Sequence, residues 1–246
     1  MTDPYRTDVV TVPNSSDYAK VNGLEMYYEV HGSDDDSRRP LVLLHGGVLT
    51  VGLTFAAVLP TLAAGRRVVA PELQGHGHTA DTDRALTPAN LASDVVALLD
   101  ELGIERADVL GFSLGGLVAL QLALGHPGRV GRLVLASTPY AQEGYYEEVR
   151  TPDYTSPRLP GQEDFQEMTD AYRAVAPLPW TADDLRGLQA PTLLVIGDTD
   201  FVRIEHAAEM HGLIPGAELA VLPATTHMAL MRRTSLLLPL LTEFLD

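Results

Sequence analysis

Gly111-Phe112-Ser113-Leu114-Gly115 has the Gly-x-Ser-x-Gly spacing of a nucleophile elbow. A serine held on such a turn can attack a carbonyl carbon, provided that a base removes its proton. The spacing has a steric cause. The chain must reverse so sharply at Ser113 that side chains two residues to either side would collide with the neighbouring strand and helix, which calls for Gly111 and Gly115. The motif lies between an apolar strand pattern and an apolar helix pattern, the context that an elbow requires. A glycine-rich turn that only lets strand and helix pack closely is the plainer alternative. The glycines at 111, 115 and 116 do not fit the Gly-x-Gly-x-x-Gly of a dinucleotide turn.

Eight histidines could supply the base. His31, His126, His206 and His211 sit in turns or at helix ends and read as structural. His45, ending a strand before Gly46-Gly47, is expected to brace a loop. His76 and His78 form a His-x-His pair without further convincing ligands, so no metal site is expected. His227 lies in the loop after the last strand pattern, at the same sheet edge as Ser113, and is the expected base. An imidazole in that role needs an acceptor to fix its tautomer. Asp198 and Asp200, in Gly197-Asp198-Thr199-Asp200, both follow a strand at that edge. The amides of Leu114, just after the nucleophile, and of Gly47 are the expected donors to a developing oxyanion.

The elements that must position these groups are legible as short apolar runs alternating with helical patterns, the signature of a parallel sheet covered on both faces. Strands are expected at Leu41 to Leu44, Arg67 to Ala70, Ala107 to Gly111, Arg132 to Ala136, Thr192 to Ile196 and Leu219 to Leu222. Tyr18 to Asn22 and Leu24 to Val30, around Gly23, read as an edge hairpin, making eight strands. Thr87 and Pro88 open one helix, which Gly103 ends. Leu114 to Leu124 is apolar on nearly every side and is expected to be buried. Pro239 must sit near the first turn of the last helix or kink it. Residues 139–186 break the alternation. This stretch carries six prolines, five of the nine tyrosines and the only tryptophan, Trp180, and reads as a short lid or binding insertion. The core is thus expected from 1–138 and 187–246, with 1–17 as a poorly structured arm.

The chain has 246 residues, no cysteine, and 17 basic against 33 acidic residues, a net charge of −16. Thiol nucleophiles, disulfides and thiolate metal sites are excluded. The negative field disfavours nucleic acid and anionic membrane surfaces as partners. No apolar run is long enough to span a membrane and the first residues lack a signal-peptide pattern, so a soluble cytoplasmic protein is expected.

Leu43-Leu44-His45-Gly46-Gly47, Gly75-His76-Gly77, Gly111-Phe112-Ser113-Leu114-Gly115-Gly116, Gly197-Asp198-Thr199-Asp200 and the His227 loop stand in an order that resembles the α/β-hydrolase superfamily over nearly the whole chain. The overall look is nearest to its small esterases, enol-lactonases and cofactor-free haloperoxidases. The resemblance implies an α/β-hydrolase fold: a mostly parallel eight-stranded sheet, helices on both faces, and a short lid after strand six. It also implies that Asp200, rather than Asp198, is the triad acid. Some members place the acid after strand six, but Ser137-Thr138-Pro139 there offers no carboxylate. A serine at the elbow argues against the relatives that use an aspartate nucleophile.

The expected activity is hydrolysis of a small carboxylic ester or lactone through an acyl-enzyme, with no cofactor. Val48, Leu49, Phe112, Tyr140, Tyr145, Trp180 and Met228 are expected to line the substrate pocket. Carbon–carbon bond hydrolysis or a lyase reaction on the same triad, and a ligand-binding receptor that keeps the hydrolase shell, are the alternatives.

Overall fold

A computed structural model describes residues 12–33, 38–147 and 178–246. Its sheet has eight strands in the order β1-β2-β4-β3-β5-β6-β7-β8. β1 (Ser15–Val21) and β2 (Leu24–His31) form an antiparallel hairpin, turned by Asn22 and Gly23, both at positive φ. That left-handed pair matches the twist of the flanking strands. β2 is also antiparallel to β4 (Val68–Pro71). β3 (Leu41–Leu44), β5 (Ala107–Phe112), β6 (Val130–Ala136), β7 (Thr192–Thr199) and β8 (Glu218–Thr226) continue the sheet in parallel. β1 begins within the expected arm, and residues 1–11 lie outside the described ones.

The parallel strands are apolar on both sides because both sides are covered. Successive residues alternate between two cores: Val42 and Leu44 join one, Leu41 and Leu43 the other. The first core holds α3 (Pro88–Glu101) and α4 (Leu114–Gly125), and the second holds α1 (Val51–Phe55), α2 (Leu59–Leu62) and α7 (Thr234–Leu245). α3 starts as its sequence predicts. Thr87 accepts from the Asn90 amide, Pro88 takes the first position, and Gly103 follows the end at positive φ. α4, the helix behind the elbow, is buried along most of its length.

Two strands run further than their apolar patterns. β7 continues through Gly197 and Asp198 to Thr199, and β8 passes Pro223 to Thr226. A proline is tolerated there because β8 is the edge strand, where an amide on the open side has no ladder partner to lose. In α7, Pro239 is interior, one turn deeper than the sequence suggested. The hydroxyl of Thr242 donates to the Leu238 carbonyl in that stretch.

Of the insertion at 139–186, only its two ends fall within the described residues. Gln142–Gly144 forms a 3-10 turn, and α5 (Ala182–Arg186) begins with a capping box from Thr181 and Asp184. Tyr154, Tyr172 and the rest of the proposed lid lie outside the described residues. α6 (Ile204–Leu213) connects β7 to β8. Among the described residues, no helix is long and apolar enough to cross a membrane.

Candidate active site

Strand order reverses at β3: the chain leaves it for β4 on one side and returns to β5 on the other. The carboxyl ends of strands at such a point leave a crevice open. Ser113 stands there, between β5 and α4, at φ 54 and ψ −114. This is a strained conformation for a residue with a side chain, and its surroundings hold it in place. The Ser113 amide donates to the Ala136 carbonyl at 2.8 Å, and its carbonyl accepts from Gly116 at 2.9 Å and Leu117 at 3.1 Å. The flanking glycines have no room for a side chain. A Cβ on Gly111 would lie 2.2 Å from the Gly115 carbonyl oxygen, and one on Gly115 would lie 2.0 Å from that of Leu44.

Three residues distant in the chain meet at this rim. His227 Nε2 lies 3.0 Å from the Ser113 Oγ, and His227 Nδ1 lies 2.8 Å from Asp200 Oδ1. The imidazole is buried and lies against two aromatic rings. Phe201 stacks on one face at 4.4 Å between ring centres and 16° between planes, and Phe112 lies at 5.0 Å and 38°. Phe201 keeps 43% of its surface exposed, so its ring separates the imidazole from solvent on that side.

Asp200 is enclosed by donors. Its Oδ2 accepts from the Ser137 hydroxyl at 2.5 Å and from the Gly197 amide at 3.2 Å; its Oδ1 also accepts from the Phe201 amide at 2.6 Å. Burial alone would raise its carboxyl, but the hydrogen bond and charge of His227, the Ser137 hydroxyl and the Gly197 amide together hold it below the ordinary carboxylate range. Asp198, the other carboxylate that the sequence left open, is taken up by backbone amides instead. It accepts from the amides of Ala224 at 2.9 Å and Thr225 at 3.0 Å, where the β7–β8 register shifts and Ala224 has positive φ. Those two bonds, from the Thr225 and Ala224 amides, also lower its carboxyl. Asp198 thus ties down the end of β8 from which His227 emerges.

The loop after β3 is fastened to the elbow at the backbone, since the Gly115 amide donates to the His45 carbonyl at 3.0 Å. The His45 side chain braces that loop as expected. Its Nδ1 lies 2.8 Å from the Gly46 carbonyl oxygen, and its Nε2 accepts from the Leu73 amide at 3.0 Å. Complete burial, helped by nearby His76, pushes its pKa down to about 3. Gly46 sits where a Cβ would meet the Phe112 ring at 2.9 Å, and Val48 follows at φ 55. Leu114, the first residue of α4, offers a helix N-terminal amide with no partner inside the helix. His76 and His78 are held apart by separate partners: His76 Nδ1 by the Gln74 carbonyl at 2.9 Å, His78 Nδ1 by Glu72 at 2.9 Å.

Leu49, Phe112 and Met228 of the expected pocket line a common cavity of about 210 Å³. Val48, Tyr140, Tyr145 and Trp180 are not among its walls. Tyr140 stacks on His206 at 4.7 Å and donates its hydroxyl to Glu209, 2.8 Å away; burial and that carboxylate push its pKa up to about 12. Trp180 donates its indole hydrogen to Gln121 of α4 at 3.0 Å and joins the first core. Tyr145 bridges to Val202, and burial together with the Asp200 charge raises its phenol well above the usual value. These aromatics attach the ends of the insertion to α4, α6 and the loop between β7 and α6. The sequence reading passed over Ser137 and Phe201. The one signal Ser137 carries in the sequence is its place at a strand end on the same sheet edge as Ser113.

A family model for the alpha/beta hydrolase fold matches residues 39–162. Over 105 residues the chain is 41% identical to 2-hydroxymuconate semialdehyde hydrolase of Pseudomonas sp. (strain CF600), a match covering 42% of this chain and 37% of that protein. Over 102 residues it is 49% identical to the pimeloyl-[acyl-carrier protein] methyl ester esterase of Aromatoleum aromaticum (strain DSM 19018 / LMG 30748 / EbN1), covering 42% and 38%. The matched segment thus spans well under half the length of either relative. In three dimensions the chain superposes on the enol-lactonase from Burkholderia xenovorans LB400 with a TM-score of 0.76 at 24% identity, covering 93% of this chain and 99% of that one.

Proposed function

This chain belongs to the alpha/beta hydrolase fold family, and from that premise we propose that it hydrolyses a carboxylic ester or lactone through an acyl-enzyme. The observation that carries the reading is the continuous run of hydrogen-bonding distances from Ser113 Oγ through His227 to Asp200. Ser113 attacks the carbonyl carbon while His227 Nε2 takes its proton. Asp200 keeps the other ring proton on Nδ1 and stabilises the imidazolium. The amides of Gly47 and Leu114 receive the developing oxyanion. His227 then protonates the leaving alkoxide, and in the second half it activates the water that releases the acid.

The Phe201 ring stacked on the imidazole supports this assignment, because it favours one orientation of the ring plane. A serine-directed fluorophosphonate tests it. The wild type should be labelled on the peptide containing Ser113 and the Ser113→Ala variant should not; labelling elsewhere, or none, removes the mechanism.

A second reading has one specific support, the 41% identity to a hydrolase named for a semialdehyde rather than an ester. On that reading the same serine and imidazole hydrolyse a carbon–carbon bond. A panel of aryl esters separates the two: no ester turnover, with a carbon–carbon substrate cleaved, favours the second.

A further inference from the structure

His45 holds the Gly46 carbonyl through a tautomer that its surroundings dictate. Its Nε2 faces the Leu73 amide at 3.0 Å, and a backbone amide can only donate. Nε2 therefore carries no hydrogen, which leaves the hydrogen of the neutral ring on Nδ1. Nδ1 in turn lies 2.8 Å from the Gly46 carbonyl oxygen and donates to it. The ring is fully buried, and that burial keeps it neutral, so the tautomer persists.

That contact sets the direction of the next amide. The Gly46–Gly47 peptide is planar and trans, so its N–H points opposite to its carbonyl. With the carbonyl drawn to the buried ring, the Gly47 hydrogen points away from it. Gly47 is half-buried, and its amide has no acceptor among the described residues. The His45 carbonyl accepts from the Gly115 amide at 3.0 Å, which sets this loop against the nucleophile elbow. The loop needs such a hold. Val48 has φ 55, a strained conformation for a β-branched residue, and it persists only where neighbours enforce it. The Leu49 amide gives the Gly46 carbonyl a second, longer bond at 3.3 Å.

We propose that His45 is a positioning residue for the oxyanion site: its Nδ1 hydrogen fixes the Gly46–Gly47 peptide so that the Gly47 amide is aimed at the developing oxyanion. The inference rests on the hydrolase reading for the oxyanion but not for the direction of the amide. Two variants divide the contacts of the ring. An asparagine amide can stand where Nδ1 does, donating to Gly46 and leaving the Leu73 amide without an acceptor. A glutamine reaches the Nε2 position instead, accepting from Leu73 and leaving the Gly46 carbonyl without its side-chain donor. His45→Gln should therefore lower kcat for an aryl ester by on the order of 100-fold, the scale of losing one oxyanion donor, with KM little changed. His45→Asn should restore most of kcat while melting at a lower temperature.

A merely structural role would make activity follow melting temperature, with His45→Asn the poorer variant. An aryl trifluoromethyl ketone reads the oxyanion site directly. Ser113 Oγ bonds to its carbonyl carbon, the hydroxyl proton passes to His227, and the carbonyl oxygen becomes an alkoxide. His45→Gln should weaken this inhibitor by the factor lost in kcat/KM, and His45→Asn should not. Equal losses in the two variants, or a loss confined to KM, overturns the positioning role. In the free protein, the residual dipolar coupling of the Gly47 N–H bond reports its direction without any turnover. It should change in His45→Gln and stay in His45→Asn; an unchanged coupling in His45→Gln overturns the inference. Nitrogen NMR of the wild type needs no variant: Nδ1 should carry the ring hydrogen, and a hydrogen on Nε2 overturns it. Absence of Ser113 labelling beside a changed coupling would overturn the hydrolase reading alone.

Discussion

Ser137, at the end of β6, donates its hydroxyl hydrogen to Asp200 Oδ2, the carboxylate oxygen that His227 does not use. Asp200 is therefore held at both oxygens, by the His227 ring and by the end of a neighbouring strand. Ser137 itself has positive φ and is fully buried, with its amide donating to the Val195 carbonyl at 2.8 Å, so the hydroxyl is fixed by the β6–β7 junction.

Replacing Ser137 with alanine should lower kcat about tenfold, as expected for losing a hydrogen bond to a charged group. The sign of the pH effect follows from the same contact. The hydroxyl helps to hold the Asp200 carboxyl down, so removing it lets the carboxyl protonate at higher pH. The acid limb of the kcat/KM profile should move upward in pH, and an unmoved limb would separate Ser137 from the relay.

Phe201→Ala should uncover one face of His227. The stacking is worth about 0.5–1.5 kcal/mol, so kcat should fall by about twofold to tenfold, with KM for small esters little changed. Phe201→Trp should retain most of the activity. Steady-state kinetics on the two variants makes the comparison.

The two aspartates of the β7 loop should separate in kinetics. Asp200→Asn leaves the imidazole with the wrong tautomer and should cost on the order of 10⁴ in kcat. Asp198→Asn removes an acceptor from the Ala224 and Thr225 amides, which loosens the strand carrying His227 without touching the ring. Its loss should be smaller by a factor of about 100, accompanied by a lower melting temperature. Equal losses would contradict the division of labour.

His45 should make the fold sensitive to acid. Its pKa is about 3 in the folded chain, against an ordinary 6.5, so between those values the unfolded chain binds a proton that the folded one does not. Stability is fully present above pH 6.5 and is lost as pH falls, by up to about 1.4 kcal/mol per pH unit. Burial lowers the neighbouring His76 as well, which adds to the slope in the same direction. Urea unfolding between pH 4 and pH 7 measures it, and His45→Gln should flatten the curve.

The centres of the strands were legible because burial on both faces demands unbroken apolar runs such as Leu41 to Leu44. Their ends were not. Asp198 takes the place of a ladder partner where β7 meets β8, a contact that no local pattern announces. Pro223 hid the continuation of β8, because a proline ends a strand everywhere except at an edge. Ser113, His227 and Asp200 could be located by residue type at the correct rim. Ser137 and Phe201 reach the site only through the register of neighbouring elements. Tyr140 and Trp180, read as pocket residues from their type, instead fasten chain ends to helices.

The crowding around Gly111 and Gly115 has a consequence for how this scaffold can change. A methyl group at either position would press against a backbone carbonyl, whereas the Ser113 side chain between them is only partly buried. Changing the side chain at 113 meets less crowding than adding one at either glycine of the hinge. Libraries aimed at new chemistry should therefore diversify position 113 and the walls around it while leaving both glycines untouched.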